Sequence, residues 1–168
     1  MELKLYPDRV LRRRCAPVRE VTDEVLARAE AMREFMYEAD GVGLAGPQVG
    51  WSEQIVTIDP EGIREDPRIF VNPQILEREG SISIEEGCLS LPGVRLEVPR
   101  AERVVVVTYT IRGERVELQA EGFAAIAWQH EVDHLNGVLI IDRVPATGLV
   151  TVRGQLRELE REAAGQSR

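Results

Sequence analysis

Nowhere in its 168 residues does the chain hold an apolar run approaching the roughly 20 residues needed to cross a bilayer. That excludes a helical membrane span. Met1–Asp8 lacks the basic segment and apolar core of a secretion signal, which points to a cytoplasmic protein. Cysteine is scarce: Cys15 and Cys88 are the whole complement. A chain of this size does not need a disulfide, and in the cytoplasm both thiols are expected free. Lysine is almost missing, with Lys4 the single one among 21 basic residues. Against 29 acidic residues the net charge is −8, which argues against free nucleic acid as a partner. No internal repeat, linker or low-complexity stretch divides the sequence, and its length suits one domain, 1–168. At 43% hydrophobic and 30% charged, the composition is that of an ordinary globular protein and names no function.

The most informative scarcity is histidine. The two histidines of the chain fall together in Gln129-His130-Glu131-Val132-Asp133-His134. Positions i and i+4 of an α-helix lie on one face, so His130 and His134 can grip one metal ion from the same side. Glu131, about 100° further round the helix, is badly placed as a ligand but can reach a water beside the metal. This is the H-E-x-x-H arrangement, in which a metal activates water and the glutamate serves as general base. A surface helix with two exposed histidines is the plain alternative. Ile126 and Phe123 precede His130 on the same face, however, and predict a buried stripe where an unpaired imidazole would need a partner. Cys88, in Glu85-Glu86-Gly87-Cys88-Leu89-Ser90, offers a thiolate as third ligand. Three protein ligands leave one position open, as catalytic sites do. Cys15, beside Arg14 and Ala16-Pro17, reads as a buried small hydrophobe.

The rest of the pattern predicts an α+β fold: mainly antiparallel strands around the metal-binding helix, with an amphipathic helix towards each terminus. Leu3–Leu5 reads as a short strand and Pro7-Asp8 as a turn. Thr22 caps a helix over about 23–39, whose Val25, Ala29, Met32, Met36 and Ala39 repeat at helical spacing. The glycine-rich stretch 41–50 reads as a loop making close backbone approach, with Gln48 its one polar side chain able to bond a ligand. Strands are expected at 54–59, at 69–71 (ended by Asn72-Pro73) and at 74–79. Arg103–Ile111 and Arg115–Gln119 make a hairpin, and a helix runs from Gly122 to Gly137. Leu149, Val152, Leu156, Leu159 and Ala163 line a last helix, whose other face mixes both signs of charge.

Three segments, Gly41-Val42-Gly43-Leu44-Ala45-Gly46-Pro47-Gln48, Glu86-Gly87-Cys88-Leu89-Ser90 and Gln129–His134, together resemble peptide deformylase in order and separation. Ala45-Gly46 is a departure, since that family usually has two alanines there. The resemblance implies an enzyme that removes the formyl group from N-terminal formylmethionine of nascent polypeptides, with a transient ribosome contact. It implies Cys88, His130 and His134 as metal ligands, Glu131 as general base and acid, and Gln48 with the Leu89 N–H as oxyanion donors. It implies one divalent ion per chain, usually Fe2+, with Zn2+, Ni2+ and Co2+ also accommodated. For the methionine side chain it implies Val42, Ile84, Phe123, Ile126 and Ala127. Gly43 and Gly87 would leave room for substrate, and Glu86 and Arg95 would contact the peptide backbone or each other. Asp133 is the expected partner of a ligating histidine. Two rivals share parts of the pattern, a zinc endopeptidase using the same helix and a non-catalytic binding module stabilised by its metal.

Overall fold

The structure, a computed structural model, describes residues 1–63 and 68–166. Among the described residues seven strands form two sheets: β1 (Gly43–Ala45), β2 (Ile55–Ile58), β3 (Ile69–Glu79), β6 (Arg103–Thr110) and β7 (Arg115–Glu121) in the larger, and β4 (Ile82–Cys88) with β5 (Leu91–Arg100) in the smaller. Every paired neighbour is antiparallel, and the larger sheet runs β1-β2-β3-β6-β7. The α+β expectation is met.

Period-2 alternation gives the larger sheet two apolar faces. On one, Leu44, Ile55, Ile69 and Val71 meet Val25, Ala29, Met32 and Met36 of α1 (Asp23–Glu38). On the other, Val56, Ile58, Val104 and Val106 meet Ala125, Trp128 and Leu135 of α2 (Gly122–Leu135). The smaller sheet sends Leu91, Val94, Leu96 and Val98 against Val152 and Leu159 of α3 (Ala146–Gln166). Each fully buried Leu, Ile or Met side chain contributes roughly 1.5–3 kcal/mol. Thr22 caps α1 as expected, its hydroxyl accepting from the Val25 N–H. With sheet on one side and the β4–β5 pair near its other, α2 is buried almost all round, which explains its run of buried residues Ala125–Gln129.

Three expectations need correction. Leu3–Leu5 is an extended strap rather than a strand, bonded by single backbone contacts to neighbouring loops. The strands expected at 69–71 and 74–79 are one strand, β3, because Asn72-Pro73 is absorbed as a register shift. Asn72 adopts φ 54°, and its amide clamps Val18 by accepting from the backbone N–H and donating to the carbonyl, both at 2.8 Å. Finally, Cys88 ends strand β4, with only Leu89-Ser90 between β4 and β5, a hairpin absent from the strands expected. The charges and prolines of β5 hid the signal, although buried Val94, Leu96, Val98 and Arg100 alternate with exposed Arg95, Glu97 and Pro99.

Candidate active site

A cleft of about 420 Å³ opens between the β4–β5 hairpin, the Gly41–Gln48 stretch and the start of α2. Helical spacing stacks His130 and His134 with ring centroids 4.9 Å apart. Their Nε2 atoms lie 3.2 Å from each other, and Cys88 Sγ is 3.3 Å from His134 Nε2. The three donor atoms all fall within 4.8 Å of one another. One soft thiolate and two imidazoles suit a divalent transition metal, and their convergence from a strand end and a helix face is the arrangement such an ion needs.

The surroundings fit as well. Glu86, buried but held ionised by Arg100 and His130, accepts from the His130 Nδ1–H at 3.0 Å, which leaves Nε2 turned to Cys88 and His134. Burial and the neighbouring His130 hold His134 well below the usual imidazole range, so it is neutral as a ligand must be. For His130 burial acts in the same sense, but contacts to Cys88 and Glu86 outweigh it and raise its pKa. Glu131 is 4% exposed, its Oε2 has no partner among the described residues, and burial pushes its carboxyl up to about 7. His134 Nδ1 is likewise buried without a partner among the described residues.

Gln48 sits on a single 3-10 turn (Gly46–Val49), 2% exposed. Its Oε1 accepts from the Ala45 N–H at 2.9 Å, which fixes the amide and aims Nε2 towards Cys88 Sγ (3.7 Å) and Ser90 Oγ (3.3 Å). The glycines of this stretch answer to close approach. A Cβ on Gly43 would come within 2.3 Å of Glu131 Oε1, and one on Gly46 within 2.7 Å of the Glu53 carbonyl oxygen. At the position where the chain departs from Ala-Ala, an added Cβ would thus press on the Glu53 and Trp51 carbonyls.

Val42, Gly43, Gln48, Ile84, Glu86, Gly87, Cys88, Leu89, Arg95, Phe123, Ile126, Ala127, His130 and Glu131 all line the cleft, with His134 beneath it. Some differ from expectation in detail. Phe123 is 51% exposed at the mouth, so the buried stripe begins only at Ile126. Arg95 covers Gly87, whose added Cβ would lie 2.9 Å from the guanidinium carbon, and does not meet Glu86. Glu86 faces inward and is no free substrate contact: Arg100 Nε and Nη2 donate to its two oxygens at 2.7 and 3.0 Å. Asp133 bonds no histidine; it accepts from Arg100 Nη1 at 2.6 Å and from Arg143 Nε at 2.9 Å. Asp133, about 100° round the helix from His134, sits on the flank that meets Arg100 and Arg143 and does not line the cleft. Arg100 was missed from sequence, although an arginine on the inward register of β5 demands buried partners.

With this geometry in hand, the chain can be set beside known proteins. The polypeptide deformylase family model matches residues 1–148. The chain belongs to the polypeptide deformylase family. Members of this enzyme family include a peptide deformylase of Halothermothrix orenii, 45% identical over 151 residues that cover 88% of this chain and 96% of that protein. Another, from Alkalilimnicola ehrlichii, is 41% identical over 164 residues, covering 96% and 92%. Among solved structures, Arabidopsis thaliana peptide deformylase 1B in complex with an inhibitor superposes with a TM-score of 0.94 at 34% identity, covering 99% of this chain and 93% of that one. The Thermotoga maritima peptide deformylase gives 0.81 at 44% identity, covering 86% and 97%. The family is metal-dependent, in keeping with the Cys88, His130 and His134 group.

Proposed function

We propose that the chain removes the formyl group from N-terminal formylmethionine of newly made polypeptides and releases formate, residues 1–168 acting as one catalytic domain in the cytoplasm. The observation that carries the reading is the convergence of Cys88, His130 and His134 beside the unpartnered Glu131 Oε2 at the floor of the cleft. Cys88 Sγ, His130 Nε2 and His134 Nε2 would hold one divalent ion, Fe2+ as the native metal, with Zn2+, Ni2+ or Co2+ accepted by the same donors. Bound there, the ion supplies Lewis acidity and makes water acidic enough to give up a proton near neutral pH.

The chain's own groups do the rest. Glu131 takes the proton of the attacking water at its free oxygen and returns it to the leaving amine. The Gln48 Nε2 amide and the Leu89 N–H meet the formyl oxygen as it gains negative charge. Val42, Ile84, Phe123, Ile126 and Ala127 enclose the methionine side chain, Gly43 and Gly87 leave room for the peptide, and Arg95 meets its backbone carbonyls. A ribosome contact would be no more than transient, because α3 mixes both signs of charge and lacks the basic face that tight RNA binding needs.

The test is formate release from a formyl-Met peptide, beside cleavage of internal bonds in an unformylated one. Formate release with intact internal bonds is expected. Glu131→Ala should keep its metal by elemental analysis and lose roughly 10²–10⁴-fold in rate. Internal cleavage without formate release would establish an endopeptidase instead, and wild-type rates in Glu131→Ala would remove it as the base.

A further inference from the structure

The two oxyanion donors belong to different layers of the fold. Gln48 is attached to the larger sheet through β1 and β2, whereas Leu89 and the ligand Cys88 sit on the β4–β5 hairpin of the smaller one. The side-chain bonds joining Gln48 directly to that hairpin are long, 3.7 Å to Cys88 Sγ and 3.3 Å to Ser90 Oγ. Two shorter bonds cross the same gap through the N-terminal segment. The Lys4 N–H donates to the Gln48 carbonyl at 2.7 Å, and the Tyr6 N–H donates to the Ser90 carbonyl at 2.9 Å. The side chains of the segment straddle the gap too. Leu3 packs into the core shared with α1, while Tyr6 packs into the core shared with α3 and gives its hydroxyl to Glu160 Oε1 at 2.8 Å.

We infer that Leu3–Tyr6 is a positioning strap that sets the height of the Gln48 amide relative to Cys88 and Leu89, through the Lys4 and Tyr6 backbone N–H groups. The inference rests on the reading of Gln48 as an oxyanion donor. Donors of this kind must be held to about 0.5 Å, and a misplacement of about 1 Å can cost on the order of 100-fold in rate. Two flexible contacts at 3.3 and 3.7 Å do not hold an amide to that tolerance. A main-chain bond on each side fixes the two backbones relative to one another, and the Ala45 N–H locks the Gln48 side chain onto its own backbone. The strap touches no substrate, so it acts on the rate of the chemical step and not on binding.

Lys4→Pro removes the N–H that reaches Gln48 and leaves Gln48 itself in place. Well below its melting temperature, this variant should lose about tenfold in kcat, with KM changed by less than about twofold and metal content unaltered. Glu2→Pro is the control, since its N–H has no partner among the described residues; it should run at the wild-type rate. Gln48→Ala should lose about 10²-fold or more. The deciding comparison is the double variant, in which Lys4→Pro should add less than about twofold to the loss from Gln48→Ala. Losses that multiply would show that the strap acts by some route other than Gln48 and overturn the inference, as would an unchanged kcat in Lys4→Pro. Wild-type activity in Gln48→Ala would instead remove the oxyanion reading, and the strap's role with it. Should Lys4→Pro fail to fold, an ester in place of the Lys4 amide, introduced by joining a synthetic segment 1–14 to the chain at Cys15, removes only the donor and makes the same comparison.

Discussion

Cys15 and Cys88 carry the same thiol into opposite roles. Cys15 is 4% exposed within the core between α2 and the larger sheet, and burial, helped by the Glu53 carboxylate, pushes its pKa up to about 11. At pH 8 it is almost wholly protonated, and the thiolate is the form that reacts. Cys88 is half-buried on the wall of the cleft, facing the histidines. With metal removed and iodoacetamide added at pH 8, peptide mapping should find Cys88 modified and Cys15 intact until denaturant is added. Alkylation of Cys15 in the folded protein at the pace of a free thiol would contradict the burial described here.

The rotation of α2, the helix that carries both histidines, is fixed by buried charge. Arg100, whose side chain is 3% exposed, joins Glu86 of β4 to Asp133 of α2, and Arg143 closes the cluster from the segment before α3. The cluster ties the helix to the smaller sheet across a stretch where apolar packing would fix depth but not rotation. Gln129 adds a second tie, accepting from the Ala101 N–H at 3.0 Å and donating to the Ala101 carbonyl at 2.8 Å. Removing one partner of a buried ion pair leaves an uncompensated charge and costs about 3–5 kcal/mol. Arg100→Met should lower unfolding stability by that order in urea titrations. It should also weaken metal retention, because Glu86 loses the group that aims it at His130. Arg103→Ala, which breaks the exposed pair with Glu79, should leave the urea midpoint unchanged. Equal effects from the two substitutions would mean that the buried cluster does not orient the helix.

Across the whole molecule the metal position is a joint between layers, with Cys88 on the smaller sheet and His130 and His134 on the helix backed by the larger one. An ion bound by the folded chain and not by the unfolded one stabilises by mass action, by about 4 kcal/mol at a thousand times its dissociation constant. For a protein of this size that is roughly 8–16 °C of melting temperature. Calorimetry with and without a chelator should show a fall of that order, restored by adding the divalent ion back. Cys88→Ala, lacking the ligand from the smaller sheet, should melt at the same temperature in both conditions. A chelator-insensitive wild type would remove the ion from the joint.

Much of this could be read from residue order alone. The scarcity of histidine and the i, i+4 spacing brought His130 and His134 together on one face, because helical geometry makes spacing equivalent to direction, and Cys88 stood out as the thiol that converges with them. Caps and turn residues located α1, α2 and the β6–β7 hairpin for the same reason: these are local constraints. What needed the tertiary structure was every relation between segments distant in the chain. The Asn72-Pro73 step joined one strand instead of separating two, because Val18 lies alongside to bond the Asn72 amide. Glu86, expected at the peptide backbone or Arg95, and Asp133, expected on a histidine, both meet Arg100, a partner 14 residues from one and 33 from the other. Lys4 and Tyr6 became the link between Gln48 and Ser90. Sequence specifies which groups are present and which side of a helix or strand they occupy; only packing decides which buried charge meets which, since an unpaired one is too costly to leave.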